Sequence, residues 1–300
     1  MSGRVEADLV LIGTSELVTC AGSAPAAGGA QARVGVIPDG ALAAREGRLV
    51  WVGRSSELDA AVQPLPNARR MDAGGRAVLP GFVDTHTHLV WGGDRADEFE
   101  QRLSGVSYSE IAAAGGGILR TVESTRAASL DELTRRGTQN MRRLARHGVT
   151  SVEVKSGYGL DTASELKMLE AARDAARELP IELVTTFLGA HTLPRESRGD
   201  EVARRAYVER VCEEMIPEVT SRGLASFVDV FVDANAFTIE EGRRVLRTGV
   251  EQGLGVKVHA DQLGADGGAE LAAELSAASA DHLEHVSDAG LEALAAAGTV

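Results

Sequence analysis

The sequence lacks the features that mark several large classes of protein. Its two cysteines, Cys20 and Cys212, form neither a disulfide framework nor a CxxC metal site, as expected in a reducing cytoplasm. Acidic residues outnumber basic residues by 44 to 31, and the net charge of −13 opposes binding to nucleic acid or anionic membranes. No uncharged apolar run reaches the roughly 18 residues of a membrane span, and the N-terminus lacks a secretory pattern. We therefore expect a soluble, cytoplasmic protein.

The first part of the chain, residues 1–79, contains short β-like runs separated by glycine-rich turns. These runs lie at residues 8–12, 41–53 and 77–79, and they predict a small β-sandwich domain. Residues 21–33 are rich in alanine, glycine and serine, which is typical of a flexible loop.

From residue 80 to residue 300 the pattern becomes a repeat of strand, loop and helix. Continuous apolar runs predict buried parallel strands at residues 81–88, 149–155, 181–191, 227–232, 255–259 and 280–283. Amphipathic stretches predict helices at residues 130–147, 163–178, 204–222, 239–252, 268–276 and 289–297. Repeated βα units indicate an α/β fold, either a (β/α)8 barrel or a doubly wound sheet.

Polar residues at the strand ends favour the barrel. Six side chains fall at the carboxyl ends of predicted strands: His86, His88, Lys155, His191, His259 and His282. A barrel takes its functional groups from many strands at once, whereas an open sheet concentrates its ligand at one switch point. Six strands are found and a seventh begins near residue 300, so we expect a (β/α)8 TIM-type barrel that is incomplete in this chain. Such a chain alone would have an open barrel edge, and we expect it to be unstable or aggregation-prone and to have little activity.

The spacing of the histidines indicates a metal site. His86 and His88 lie two residues apart in a strand, so both imidazoles point to the same side. With His259 as a third ligand they suit zinc or iron, although two unrelated histidines on a polar strand end are the simpler alternative. His282 either binds the metal or handles the proton of the attacking water. Lys155 follows the second strand rather than the fourth, so we expect one metal rather than two bridged by a carboxylated lysine.

The run Pro-Gly-Phe-Val-Asp-Thr-His-Thr-His at residues 80–88 resembles the amidohydrolase superfamily. A narrower resemblance, to imidazolonepropionases, comes from segments that follow the family's order along the chain. These segments lie at residues 88–95, 108–111, 115–118, 153–160, 186–191, 257–262 and 279–282. Seven such segments together are far more specific than any one of them.

The resemblance implies hydrolysis of the ring amide of 4-imidazolone-5-propanoate to N-formimidoyl-L-glutamate, with one Zn or Fe ion, in a homodimer. It implies metal ligands His86, His88 and His259, substrate contacts Arg95, Tyr158, His191 and Gln262, and catalytic roles for His282 and Gln262. Arg95 suits the propionate, because a guanidinium grips a carboxylate through two hydrogen bonds. Family members also place an aspartate ligand after the eighth strand, which these 300 residues do not include.

Two other interpretations stay open at this point. One is another amidohydrolase, such as an aromatic-ring deaminase, which would share the metal ligands but would not need Arg95. The other is a catalytically defective barrel that acts as a binding protein, which need not hold a stoichiometric metal.

Overall fold

The computed structural model describes residues 3–22, 25–107, 110–111, 116–234 and 236–300. Tyr108, Ser109 and Gly115, which belong to two of the family segments, lie outside the described residues. The chain forms two compact units, Met1–Gly81 and Phe82–Val300. We propose that these units are the two domains expected from the sequence.

The first unit contains a four-stranded sheet in the order β5-β4-β1-β6 and a separate antiparallel pair, β2 with β3. The strands are β1 (Val5–Ile12), β2 (Glu16–Val18), β3 (Val36–Pro38), β4 (Gly40–Arg45), β5 (Arg48–Arg54) and β6 (Val62–Asp72). Short helical segments lie at Gly28–Ala32, Ser55–Glu57 and Leu58–Ala61. The core of the sheet is small and consists mainly of alanine and valine side chains, such as Ala7, Val10 and Ala43.

Several features of this unit differ from the expectation. Residues 41–53 form the two strands β4 and β5, and the pair β2 and β3 was not predicted. The predicted strand at residues 77–79 is a single bridge between Leu17 and Val78, and the predicted loop at residues 21–33 contains the 3-10 turn Gly28–Ala32. Strand β6 was not predicted, because it contains Pro64 and Pro66 and proline removes a donor from a sheet. The sheet accommodates both prolines because β6 is an edge strand.

The second unit is built on six parallel strands that neighbour each other in chain order. They are β7 (Phe82–Thr87), β8 (Val149–Lys155), β9 (Glu182–Ala190), β10 (Phe227–Phe231), β11 (Gly255–Ala260) and β12 (Ser279–His282). Sequential, all-parallel pairing with helical connections is the arrangement of a TIM-type barrel. The barrel prediction is confirmed, and each predicted strand lies within two residues of the observed one.

In the described part of this unit, at least one helix follows each strand. The helices are Ala96–Leu103, Ile118–Ala127, Leu130–Arg146, Thr162–Ala176, Glu201–Arg210, Ile216–Ser221, Ile239–Glu251, Gly268–Glu274 and Asp288–Ala297. The first two were not predicted. The single helix predicted at residues 204–222 is divided by a π-helical segment, Val211–Met215, next to Pro217. Proline has no N–H for the regular helical hydrogen bond, which explains the change of winding there.

Apolar strand residues fill the space between the sheet and its helices. Val152, Phe187, Val228 and Val258 are buried almost completely, and each such side chain stabilises the fold by about 1.5–3 kcal/mol. Among the described residues, no helix combines the length and apolar character needed to cross a membrane.

Candidate metal centre and active site

Five histidines meet at the carboxyl ends of the barrel strands. His86 lies in β7 and His88 directly after it, His191 follows β9, His259 lies in β11 and His282 ends β12. The ring of His259 is central, with centroid distances of 4.6 Å to His86, 5.5 Å to His88, 5.2 Å to His282 and 5.8 Å to His191. Parallel strands bring their carboxyl ends to one edge, and this is why residues far apart in sequence converge here.

The five histidines form two overlapping groups that could hold a metal ion. One group is His86, His259 and His282, and the other is His88, His191 and His259. Within each group one nitrogen of every ring lies within 4.8 Å of the others. His86 and His88 therefore fall in different groups, with ring centroids 5.4 Å apart, and His259 joins them.

The nitrogen positions and the lowered pKa values of the buried histidines suit a metal ion. The Nε2 atoms of His88 and His259 lie 3.3 Å apart, so both rings direct a nitrogen at the same point. Burial, followed by the neighbouring His191 and His259, holds the pKa of His88 well below its usual value. Burial and His259 also lower the pKa of His191 to about 3. Neutral imidazole is the form that binds transition metals.

Buried charges lie directly beneath the histidines. The Lys155 ammonium at the end of β8 is fully buried, with Nζ 2.9 Å from Glu153 Oε1, 2.8 Å from Asp229 Oδ2 and 3.7 Å from Asp281 Oδ2. Lys257 Nζ lies 3.2 Å from the same Glu153 oxygen. Two ammonium groups therefore face three carboxylates, and the formal negative charge that remains favours a cation among the histidines.

The pKa values of this cluster follow from its pairing. Burial alone would lower the pKa of Lys155, but Asp229 and Glu153 outweigh it and raise that pKa. Burial likewise opposes the ionised form of Asp229, but His259 and Lys155 hold its pKa well below the usual value. The pKa of Asp281 is lowered as well, since His86 and Lys155 outweigh its burial. The paired groups are charged at neutral pH.

A pocket of about 390 Å³ opens beside the histidines. Its lining residues are His88, Trp91, Asp94, Arg95, Thr121 and Tyr158. The Arg95 side chain is 44% exposed and lies 3.8 Å from the Glu98 carboxylate, so its guanidinium is available to a ligand. Burial raises the pKa of the Tyr158 phenol, although Arg95 opposes the change, so this group is neutral at neutral pH. The pocket thus combines one cation, one carboxylate (Asp94), one phenol and one histidine of the metal groups.

Two further predicted residues lie at the histidine cluster. His191 stacks on His88 with ring centroids 4.8 Å apart, and its Nδ1 lies 3.0 Å from the Gly157 carbonyl oxygen. Because a carbonyl only accepts hydrogen bonds, Nδ1 carries the proton and Nε2 is left with a lone pair. The His282 ring is 5.3 Å from that of His86, and burial lowers its pKa, with a further contribution from His259. His282 is therefore neutral at neutral pH and able to accept a proton.

The remaining predicted residue, Gln262, lies half-buried in the loop after β11. The preceding Asp261 organises this loop, because its carboxylate accepts hydrogen bonds from the N–H groups of Asp266, Gly267, Gly268 and Ala269. Gln262 is thus held at the carboxyl end of the barrel, on the strand that supplies His259.

Comparison with known proteins agrees with this architecture. Residues 77–300 match the model of the Amidohydrolase family. The imidazolonepropionase of Symbiobacterium thermophilum is 54% identical over 98% of this chain and 68% of its own length. That of Bradyrhizobium sp. is 50% identical over 90% of this chain and 65% of its own length. This chain belongs to the imidazolonepropionase family.

Imidazolonepropionases are longer than the sequence described here. The Bacillus velezensis relative, 43% identical, is also covered over 68% of its length, so the chain spans about two thirds of the relatives it matches. Solved structures of two more distant enzymes show a similar fold. Klebsiella pneumoniae 5-methylcytosine deaminase has a TM-score of 0.63 at 19% identity, and Aspergillus niger ochratoxinase 0.60 at 15%. Each alignment covers 97% of this chain and 64% of the solved chain.

The sequence did not predict the buried carboxylates beneath the histidines, or that Lys155 is paired with them. Asp229 is fully buried between Val228 and Val230 of β10, and Glu153 and Lys155 share one side of β8. A charged residue inside an otherwise apolar strand was the available signal, because such a group is buried only when it is paired. The identity of its partners was not readable, since they lie on other strands.

Proposed function

We propose that this chain carries the active site for hydrolysis of 4-imidazolone-5-propanoate to N-formimidoyl-L-glutamate in histidine degradation. The observation that carries the proposal is the pocket in which Arg95 and Tyr158 face His88. A substrate with an anionic tail and a polar ring needs a cation and hydrogen-bonding groups near the reacting carbonyl. The family supports this substrate, because the matched relatives are imidazolonepropionases.

His259, which belongs to both candidate groups, would hold the metal together with His86 from one group and His88 from the other, and nitrogen ligands of this kind accept either zinc or iron. When bound, such an ion polarises a carbonyl group and lowers the pKa of water towards about 7. The 3.3 Å separation of the His88 and His259 nitrogens supports a shared ligand between them. Metal analysis of the purified protein distinguishes zinc from iron.

The pocket residues would fix the substrate. The Arg95 guanidinium would bind the propionate through two charge-assisted hydrogen bonds. The neutral phenol of Tyr158 and the amide of Gln262 would donate hydrogen bonds to the ring. His191, whose Nδ1 faces a carbonyl oxygen, would accept a hydrogen bond from a ring N–H at its Nε2. Together these contacts would hold the ring carbonyl in one orientation for attack.

His282 would move the proton. A water oxygen adds to the ring carbonyl carbon while His282 accepts one of its protons. The ring C–N bond then breaks, and His282 returns that proton to the departing nitrogen. Its lowered pKa supports this role, because the ring is neutral before the reaction.

The test is the reaction itself, on protein from its native source whose intact mass is determined first. Loss of the imidazolone absorbance and appearance of N-formimidoylglutamate support the proposal. His282→Ala should abolish turnover with the metal content unchanged, and normal turnover in that variant would contradict its role. Release of ammonia would indicate a deaminase, and a folded protein without stoichiometric metal would indicate a binding protein, neither of which the comparisons favour.

Two proposals concern the protein in the cell. By resemblance to the family we propose a homodimer, which light scattering during size-exclusion chromatography tests by giving twice the intact mass. We also propose a cytoplasmic location, since no helix of the described chain is suited to a membrane and the relatives belong to histidine degradation. Recovery of the protein in a membrane fraction would contradict it.

A further inference from the structure

Lys155 is a charged side chain that the proposed reaction does not use. It is fully buried at the end of β8 and contacts two carboxylates on other strands, Asp229 of β10 at 2.8 Å and Asp281 of β12 at 3.7 Å. A buried ammonium group is retained only where it is well paired. Lys155 lies between two carboxylates that both face the histidines, so its charge can hold both carboxylates in place.

Each of the two carboxylates faces the Nδ1 atom of a different histidine. Asp229 Oδ2 lies 2.9 Å from His259 Nδ1, within hydrogen-bonding distance although the ring is not aligned for the bond, and its Oδ1 accepts a hydrogen bond from the His259 backbone N–H at 3.1 Å. Asp281 Oδ2 lies 3.2 Å from His86 Nδ1. A carboxylate beside Nδ1 favours the tautomer with its proton on Nδ1, which leaves the lone pair on Nε2.

The resulting lone pairs suit a common centre. Nε2 of His259 already lies 3.3 Å from Nε2 of His88. His86 and His259 belong to one group of possible metal ligands. Because Lys155 contacts both carboxylates, a single buried cation links the orientations of two rings, one on the end strand β7 and the other on β11, four strands away in the sheet order.

We propose that Lys155, Asp229 and Asp281 form a positioning cluster that sets the tautomer and ring orientation of His86 and His259. Lys155 acts through the two carboxylates rather than on the substrate, so it is a positioning residue. This inference rests on the proposed metal site but not on the identity of the substrate.

The tautomers are tested first, on the unmodified protein. Metal-free protein labelled with 15N in its imidazole rings is examined by NMR at about pH 8. His86 and His259 should show protonated Nδ1 and unprotonated Nε2. The largest change should occur in the His86 signals for Asp281→Asn and in the His259 signals for Asp229→Asn. The opposite tautomer in either ring would overturn the proposal.

The role of Lys155 is tested by metal affinity, with Zn2+ competed against a fluorescent chelator. Partners of metal-binding histidines typically contribute 10–100-fold to affinity, so Asp229→Asn and Lys155→Met should each weaken Zn2+ binding by about 10–100-fold. The matched control is Lys167→Met. Lys167 lies on the helix Thr162–Ala176 and donates hydrogen bonds to the carbonyl oxygens of Arg126 and Ala128, outside the cluster. This variant should leave the affinity unchanged.

A combined variant separates positioning from general stability. If Lys155 acts through Asp229, Lys155→Met should weaken Zn2+ binding less in an Asp229→Asn background than alone. Equal effects in both backgrounds, or a folded Lys155→Met protein with normal affinity, would contradict the inference. If Lys155→Met does not fold, the NMR tautomers decide the question. Tight Zn2+ binding without hydrolysis of the imidazolone would leave this inference standing while contradicting the proposed reaction.

Discussion

The histidine cluster and the loop that carries Tyr158 are held in place by different means. The histidines stand on side-chain ion pairs inside the barrel, in which Lys155 and Asp229 contact each other and Asp229 lies against His259. The Tyr158 loop, residues 156–160, is held through its backbone. The buried Glu165 carboxylate accepts hydrogen bonds from Gly157, Gly159 and Leu160 N–H groups at 2.7–2.9 Å.

The difference separates the two tasks of the site. Ion pairs fix individual imidazole nitrogens, which a metal requires within a few tenths of an ångström. The backbone bonds of Glu165 instead fix a chain conformation that includes a positive φ of 55° at Leu160. A Cβ on Gly159 would lie 2.5 Å from the Glu165 backbone nitrogen, so the loop also needs glycine at that position. We therefore expect substitutions in the histidine cluster to affect metal binding, and substitutions in the loop to affect substrate binding.

The largest effect is expected from His259→Ala. His259 belongs to both groups of possible metal ligands, so its loss leaves neither group complete. Zn2+ affinity should fall by more than about 100-fold, above the usual effect of residues that only support a ligand. His147→Ala is the control, since His147 is exposed at the end of the helix Leu130–Arg146. Retention of tight Zn2+ binding in His259→Ala would show that the histidine cluster is not the metal site.

A substitution in the pocket should change substrate binding without changing the metal. Hydrogen bonds to charged groups contribute about 1.5–3 kcal/mol, so Arg95→Ala should raise KM by roughly 10–150-fold at constant Zn2+ affinity. Arg102→Ala, on the exposed side of the neighbouring helix, serves as the control. An unchanged KM in Arg95→Ala would favour a substrate without an anionic tail.

A smaller effect is expected from Glu165→Gln, which weakens the hydrogen bonds that hold the Tyr158 loop. The glutamine amide keeps one acceptor oxygen. Its NH2 group would face either the Gly157 N–H group or the N–H groups of Gly159 and Leu160. A buried N–H left without a partner costs about 1–3 kcal/mol, which urea unfolding measures directly. KM should rise while Zn2+ affinity stays constant. Glu170→Gln on the same helix, where Glu170 faces Arg222, should change neither quantity. A loss of Zn2+ affinity in Glu165→Gln would break the separation between loop and cluster.

The pH dependence of stability should come from the histidine cluster. His191 has its pKa lowered from 6.5 to about 3 in the folded protein, so between these values the unfolded chain binds more protons. The stability of the metal-free protein should therefore fall as the pH is lowered below about 6.5. From there to about pH 5 the loss from His191 is about 2 kcal/mol. His191→Gln should flatten the urea-unfolding profile over this range, whereas His147→Gln should leave its slope unchanged.

The sequence predicted the parts of the molecule that local patterns determine. The apolar runs gave the six barrel strands, and a histidine at the end of each of several strands was enough to predict the cluster around His259. Strand β6 was missed because Pro64 and Pro66 are tolerated only at an edge, and the edge is a property of the whole sheet. The pairing of Lys155 with Asp229 joins residues 74 positions apart, so it depends on strand order and not on any local pattern.

Isotope labelling tests most directly whether these residues hydrolyse an imidazolone ring at a metal site. The metal-loaded protein is supplied with 4-imidazolone-5-propanoate in water enriched in 18O, and the product is analysed by mass spectrometry. We expect N-formimidoylglutamate with one solvent oxygen in its new carboxylate, and no product from His282→Ala with its metal retained. Unchanged substrate, or release of ammonia, from a folded protein with stoichiometric metal would contradict the proposed reaction.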